Sequence, residues 1–258
     1  MNTIALLHRR HHFFIARIVT VLLAMLLCGS LAFGDDIKDA AKSGDLDKVK
    51  ALLKDNPDLV SSRDDLGMTP LHWAAGYGHK DVVEFLLANK ADINATNNFG
   101  DTVLRMAASQ GFKDVIESLL ANKADINAKD GKGDTALFTA IASGKIEVVR
   151  LLLAKGADVK AVNNTGETAL HVAANKGYRD SAELLLAGGA LVDAPTDLGE
   201  TPLHYAAQEG HKDVAELLLA NKAAVNAKDK IGSTPLHWAV VDGKDDVADL
   251  LRQHGGQE

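Results

Sequence analysis

The chain has 258 residues, of which 47% are hydrophobic, 24% charged and 5% aromatic, with a single cysteine and a formal net charge of −7. That apolar share supports a sizeable core and excludes a disordered chain, a collagen and a disulfide-stapled miniprotein. The acidic balance argues against nucleic acid or an anionic membrane surface as partner, since both need clustered Lys and Arg to displace counterions.

The first element is a leader. Arg9, Arg10 and Arg17 precede an apolar run from Ile18 to Cys28, and small residues follow up to Gly34. This order predicts a secretory signal peptide over residues 1–34, cut before Asp35 at the small-x-small site Ala32, Phe33, Gly34. An uncleaved anchor is the second reading, and the run is short for one. A lipid attached at Cys28 is opposed by the bulky Leu27 before it. Cleavage leaves 224 residues with 35 acidic and 25 basic side chains, a net charge of −10, and no cysteine. Such a chain suits an oxidising compartment, so the expected location is periplasmic or extracellular, with no membrane contact after cleavage.

Beyond the leader the chain repeats itself. Thr69, Thr102, Thr135, Thr168, Thr201 and Thr234 follow one another at intervals of 33 residues, with Gly67, Gly100, Gly133, Gly166, Gly199 and Gly232 two residues earlier each time. A second glycine series, Gly78 to Gly243, and an alanine series, Ala74 to Ala239, keep the same phase. In one unit Thr69 stands where an N-cap belongs and Pro70 where its missing N–H costs nothing, so a short helix runs to about Tyr77. Gly78 breaks it, and a second helix follows from about Lys80 to Asn89 with Val82, Val83, Leu86 and Leu87 on helical spacing. Asp81, Asp114, Glu147, Asp180, Asp213 and Asp246 fall in the first turn of each second helix, where a carboxylate favours the helix dipole. A helix pair with apolar residues on so many sides must stack on its neighbours.

These units resemble ankyrin repeats, with TPLHWAA at 69–75, TALHVAA at 168–174, TPLHYAA at 201–207 and TPLHWAV at 234–240. The resemblance implies an all-α solenoid of helix–turn–helix units joined by β-hairpin loops. A degenerate capping unit occupies 35–66, with one extra residue expected at Asn56-Pro57-Asp58. Six further units fill 67–258, the last a C-terminal cap. Units 100–132 and 133–165 lose the Pro and His, reading Thr102-Val103-Leu104-Arg105 and Thr135-Ala136-Leu137-Phe138. The family's Gly after the second helix is kept at Gly156 and Gly189 but replaced by Lys90, Lys123 and Lys222.

No catalytic constellation, cofactor-binding loop or metal-ligand spacing is present. His171, His204 and His237 recur at one position, but units stacked roughly 10 Å apart cannot share a metal whose ligands sit about 2 Å from it. Each imidazole, His72 included, is expected to hydrogen-bond the turn around its own Thr. His79 and His211, after the mid-unit glycine, take the same structural reading. Trp73, Tyr205 and Trp238 are either partner anchors or aromatics partly buried between first helices. Asn163-Asn164-Thr165 is formally a glycosylation acceptor in a hairpin that wants Asn in any case.

The resemblance places the functional face on the concave, hairpin side. There Asp101, Asp134, Glu167 and Glu200 form an evenly spaced row that either attracts a basic partner or sits near helix N-termini for the dipole. Variable positions of the family fall on Tyr77, Phe99, Gln110, Lys132, Lys176, Leu198, Glu209, Ile231 and Asp242, with Phe99 and Ile231 apolar at hairpin tips. The expectation is a monomeric, non-enzymatic module that binds another protein with a basic surface. A structural or protective envelope scaffold without one partner is the alternative. If the turn at Lys123 is left-handed, Lys there costs about 1 kcal/mol against Gly. Lys123→Gly then raises the melting temperature, and a clear drop in a thermal scan would contradict that reading of the turn.

Overall fold

The computed structural model describes residues 36–258, so the expected leader lies outside the described residues. The chain opens with α1 (36–43), α2 (Leu46–Asp55) and a 3-10 turn at Pro57–Ser61. Six helix pairs follow: α3 (Pro70–Gly76) with α4 (Lys80–Ala88), α5 (Val103–Gln110) with α6 (Lys113–Ala121), and α7 (Ala136–Ala142) with α8 (Ile146–Ala154). Then come α9 (Ala169–Lys176) with α10 (Arg179–Ala187), α11 (Pro202–Glu209) with α12 (Lys212–Ala220), and α13 (Pro235–Val241) with α14 (Asp245–Gln253). In the first pair Tyr77 and Asn89 cap the helices rather than extend them. Among the described residues none of these helices is long and apolar enough to cross a membrane.

First helices pack side by side in one layer and second helices in another, each also against its own partner. Ala74, Ala107, Ala140, Ala173, Ala206 and Ala239 are fully buried and let the first-helix backbones approach closely, while Leu71, Leu137, Leu170 and Leu203 fill the space between layers. The core is therefore continuous from Ile37 to Leu251. Left-handed backbone occurs where the units turn. Lys90, Lys123 and Lys222 have φ of 67°, 69° and 68°, so all three lysines occupy the strained conformation expected of them. Gly44 shows a second demand on glycine: the His79 ring of the next unit lies over it, and a Cβ there would come within 2.4 Å of Nδ1. His79 Nε2 bonds the Lys42 carbonyl at 3.0 Å, and His211 Nε2 bonds that of Asn175 at 2.9 Å.

The hairpins depart from the expected β geometry. Among the described residues they hold only isolated bridges, Thr96 with Thr102 and Val162 with Thr168, and no extended strand. A side chain replaces the strand ladder. Asp64, Asn97, Asp130, Asn163, Thr196 and Asp229 each accept the backbone N–H groups two and four residues later, for example Phe99 N and Asp101 N on Asn97 Oδ1, both at 2.9 Å. Successive hairpins are then joined through their tips: Asn98 N donates to Leu66 O, Gly131 N to Phe99 O, and Lys230 N to Leu198 O.

His72, His171 and His204 are fully buried and bridge units. His72 Nδ1 accepts from the backbone N–H of Thr69 at 3.1 Å and faces its hydroxyl at 2.8 Å. Because Nδ1 accepts, Nε2 carries the hydrogen, and it donates to the Asp101 carbonyl of the next unit at 3.2 Å. His171 does the same to Glu200 O and His204 to Ser233 O. The sequence expectation of a bond to the local Thr captures half of this bridge, and His237 corrects it. Its ring is exposed and among the described residues makes none of these contacts; only its backbone N–H reaches Thr234 Oγ1.

Burial lowers the pKa of all three bridging histidines, that of His171 to about 4. A folded-state value below the unfolded one means that the unfolded chain binds more protons between the two. The stability that the His171 ring contributes is present above its unfolded value near 6.5 and is lost as the pH falls toward about 4, at about 1.4 kcal/mol per pH unit between the two, and the lowered values of His72 and His204 act in the same direction. The urea midpoint should fall accordingly between pH 7 and 4, with the His171 ring titrating near 4 by NMR. An ordinary imidazole titration at His171 would contradict the buried bridge.

Candidate functional site

The residues singled out from sequence fall in three rows on the first-helix and hairpin side. Tyr77, Gln110, Lys176, Glu209 and Asp242 lie at the ends of the first helices and are all exposed. Phe99, Lys132, Leu198 and Ile231 are hairpin tips; Phe99 is 64% exposed and Ile231 87%, so neither side chain packs on its own array. Asp101, Asp134, Glu167 and Glu200 are half-buried just before the capping threonines.

The carboxylate row is even in sequence and uneven in its partners. Asp101 pairs with Arg105 at 3.1 Å, and Arg105 also pairs with Asp130 of the next hairpin. Arg105 stands where other units have the bridging histidine, so an ion pair between units takes over that link. Asp134 accepts from the Asn163 amide at 3.1 Å. Glu167 accepts from Asn163 at 2.9 Å, from Thr165 at 3.1 Å and from the Tyr205 hydroxyl at 2.9 Å. Glu200 accepts from Thr196 at 3.1 Å and faces the same Tyr205 oxygen at 3.2 Å. Among the described residues only Asp101 of the four is ion-paired.

These contacts set the electrostatics. Burial alone would raise the Glu167 carboxyl, but the hydrogen bonds from Asn163, Tyr205 and Thr165 outweigh it and hold the group below its ordinary range, hence ionised. Burial, followed by the adjacent Glu167 and Glu200, pushes the Tyr205 phenol far up, so it stays a donor. The half-buried aromatics are edge-anchored in the same manner: Trp73 Nε1 donates to Asp64 at 2.9 Å and Trp238 Nε1 to Asp229 at 3.2 Å. Partial burial, one of the two readings of Trp73, Tyr205 and Trp238, is what the structure has.

Sequence reasoning missed the hairpin anchors. Their period is visible, but the residue alternates among Asp, Asn and Thr, so no single-letter series reveals it. Asn163, formally a glycosylation acceptor in a hairpin that wants Asn, is one of these anchors. The Asn163 amide donates to Asp134 and Glu167 while its oxygen accepts from Thr165 and Glu167, which occupies the whole side chain.

Among the described residues no group of three His, Cys, Asp or Glu side chains could hold a metal ion. The architecture, the bridging histidines and the glycine turns agree with what the family comparison finds. A model of ankyrin repeats, in three copies, matches residues 37–130, 106–196 and 189–258. The chain belongs to the ankyrin repeat family. Ankyrin repeats in general mediate protein–protein interaction and are typically binding modules rather than enzymes. Similar curated proteins include the E3 ubiquitin-protein ligase XBAT33 of Arabidopsis thaliana, 41% identical over 70 residues, which is 27% of this chain and 14% of that one. Palmitoyltransferase akr1 of Aspergillus oryzae is 36% identical over 67 residues, 26% of this chain and 9% of that protein. Protein phosphatase 1 regulatory subunit 27 of Homo sapiens is 41% identical over 61 residues, 24% of this chain and 39% of the relative. The chain thus matches between 9% and 39% of the length of these relatives.

Arg105 holds two carboxylates in a half-buried setting, so removing it leaves both without a counter-charge. Arg105→Leu should lower stability by about 2–4 kcal/mol in urea unfolding, since breaking such a pair from one side is costly. An unchanged midpoint would show that the ion pair does not carry the link between units three and four.

Proposed function

We propose that this chain is an exported, non-enzymatic module that binds a partner protein through the concave first-helix face and the hairpin tips. The observation that carries the reading is the coexistence, on one side of the array, of exposed apolar tips and three carboxylates, Asp134, Glu167 and Glu200, that have no ion pair among the described residues. Exposed apolar patches with a polar rim mark interaction sites. The order of basic, apolar and small residues over 1–34 supports export. A partner with a basic surface fits the acidic row and the net charge of −10 left after cleavage. The partner-binding residues of this proposal are the three rows described above, and the chain acts as a monomer.

The test is affinity purification of the tagged, processed chain from the exported fraction of its native organism, at low and at high salt. A variant carrying Asp134→Asn, Glu167→Gln and Glu200→Gln is run beside it; Asp101 is left intact because it is already paired with Arg105. One dominant protein, lost at high salt and in the variant, is the expected result. No enriched protein at either salt would replace this reading with a scaffold that has no single partner.

A further inference from the structure

The N-terminal half of the first-helix face contains two receptors for positive charge, and the chain fills both from its own sequence. Lys42 Nζ lies 5.3 Å from the Trp73 ring centroid and 5.4 Å from that of Tyr77, over two rings 6.1 Å apart and tilted by 38°. Arg105 joins carboxylates of two successive hairpins, Asp101 and Asp130.

The C-terminal half presents similar groups without the cation. The rings of Tyr205 and Trp238 are 6.5 Å apart and tilted by 34°, here across two units rather than along one helix. Glu167 and Glu200, from successive hairpins, both reach the Tyr205 hydroxyl. That hydroxyl has one hydrogen and serves one carboxylate at a time, so two negative groups face each other across a single donor. Four residues after Asp101 stands Arg105; four residues after Glu167 stands His171, buried and neutral, with its Nε2 already given to the Glu200 carbonyl. Among the described residues no cationic side chain lies within 4 Å of Glu167 or Glu200, and Lys176 is exposed without an ion pair. Glu209 and Asp242 add exposed carboxylates at the helix ends, and Val241, one turn from Trp238, is 68% exposed.

Resting on the protein-binding reading above, we propose that Glu167, Glu200, Tyr205 and Trp238 form the anchor site for an arginine side chain of the partner. The partner is thereby anchored most firmly over the C-terminal units of that face. A guanidinium is the group that suits both features: its planar fork can bridge two carboxylates, and its face stacks on aromatic rings. The Val241 side chain offers apolar surface to the methylene stem.

The two tryptophans, one beside each half's receptor, report the outcome separately. The 15N-labelled chain is titrated at low salt with a blocked peptide bearing arginines in a Gly-Ser background, and with the same peptide carrying neutral citrulline instead. The arginine peptide should move the Trp238 indole N–H resonance and leave that of Trp73, already covered by Lys42, in place. Citrulline should move neither. Glu167→Gln with Glu200→Gln, which keeps acceptor oxygens for Tyr205, should weaken the peptide by roughly fivefold or more, as loss of a close charge pair does. Equal movement of both indoles, no movement of Trp238, or wild-type affinity in the double variant would overturn the anchor site. The wider reading would stand in that event, because its own test reads capture of a partner by the full surface.

Discussion

Each unit of this chain is incomplete until the next one is laid on it. Its apolar faces, its hairpin-tip carbonyl and, in three units, its buried imidazole N–H are satisfied by groups of the following unit, so no unit reaches a low free energy alone. The histidine bridge shows the constraint most clearly. One neutral ring fixes the N-terminus of its own helix through Nδ1 and the neighbour's backbone through Nε2, which leaves no atom available for chemistry. A residue type usually associated with catalysis or metal binding is spent here on register.

Most of the architecture is legible in the sequence because it depends on local rules that recur. The capping threonines, the breaking glycines and the helical spacing of Val82, Val83 and Leu86 each act within a few residues. What could not be read is whatever joins one unit to another. The destination of His72 Nε2, the carbonyl of Asp101, is defined only once the units stack. The four carboxylates of the row look alike by spacing, yet one is neutralised by Arg105 and two share a phenol. Nothing local to Asp101 or Glu167 announces that difference. His237 makes the same point from the other side: it has the sequence of a bridging histidine, yet among the described residues its ring makes none of the bridging contacts.

A regular backbone thus carries an irregular surface. Units three and four, which lack the histidine, use an ion pair at Arg105 and a buried Phe138 instead. The N-terminal half of the first-helix face is internally compensated, and the C-terminal half retains negative charge beside half-buried rings. Identical scaffolding therefore holds side chains of opposite electrostatic character at equivalent positions, and the surface can be specific even though the fold is repetitive.

The bonds between hairpins also determine where the chain can change length. A tip carbonyl meets an N–H of the next hairpin at five successive junctions, and loops after the second helices are joined through a side-chain oxygen, as in Asp125 N donating to Asn94 Oδ1. Inserting one residue into any of these segments would misalign donors and acceptors on both sides, whereas duplicating or deleting a whole unit would preserve every junction. The 3-10 turn Pro57–Ser61, beside the expected extra residue at Asn56-Pro57-Asp58, lies upstream of the hairpin that Asp64 anchors and so outside these junctions. Evolution of such an array is therefore quantised, with single-residue changes in length confined to its margins and internal growth proceeding by whole units.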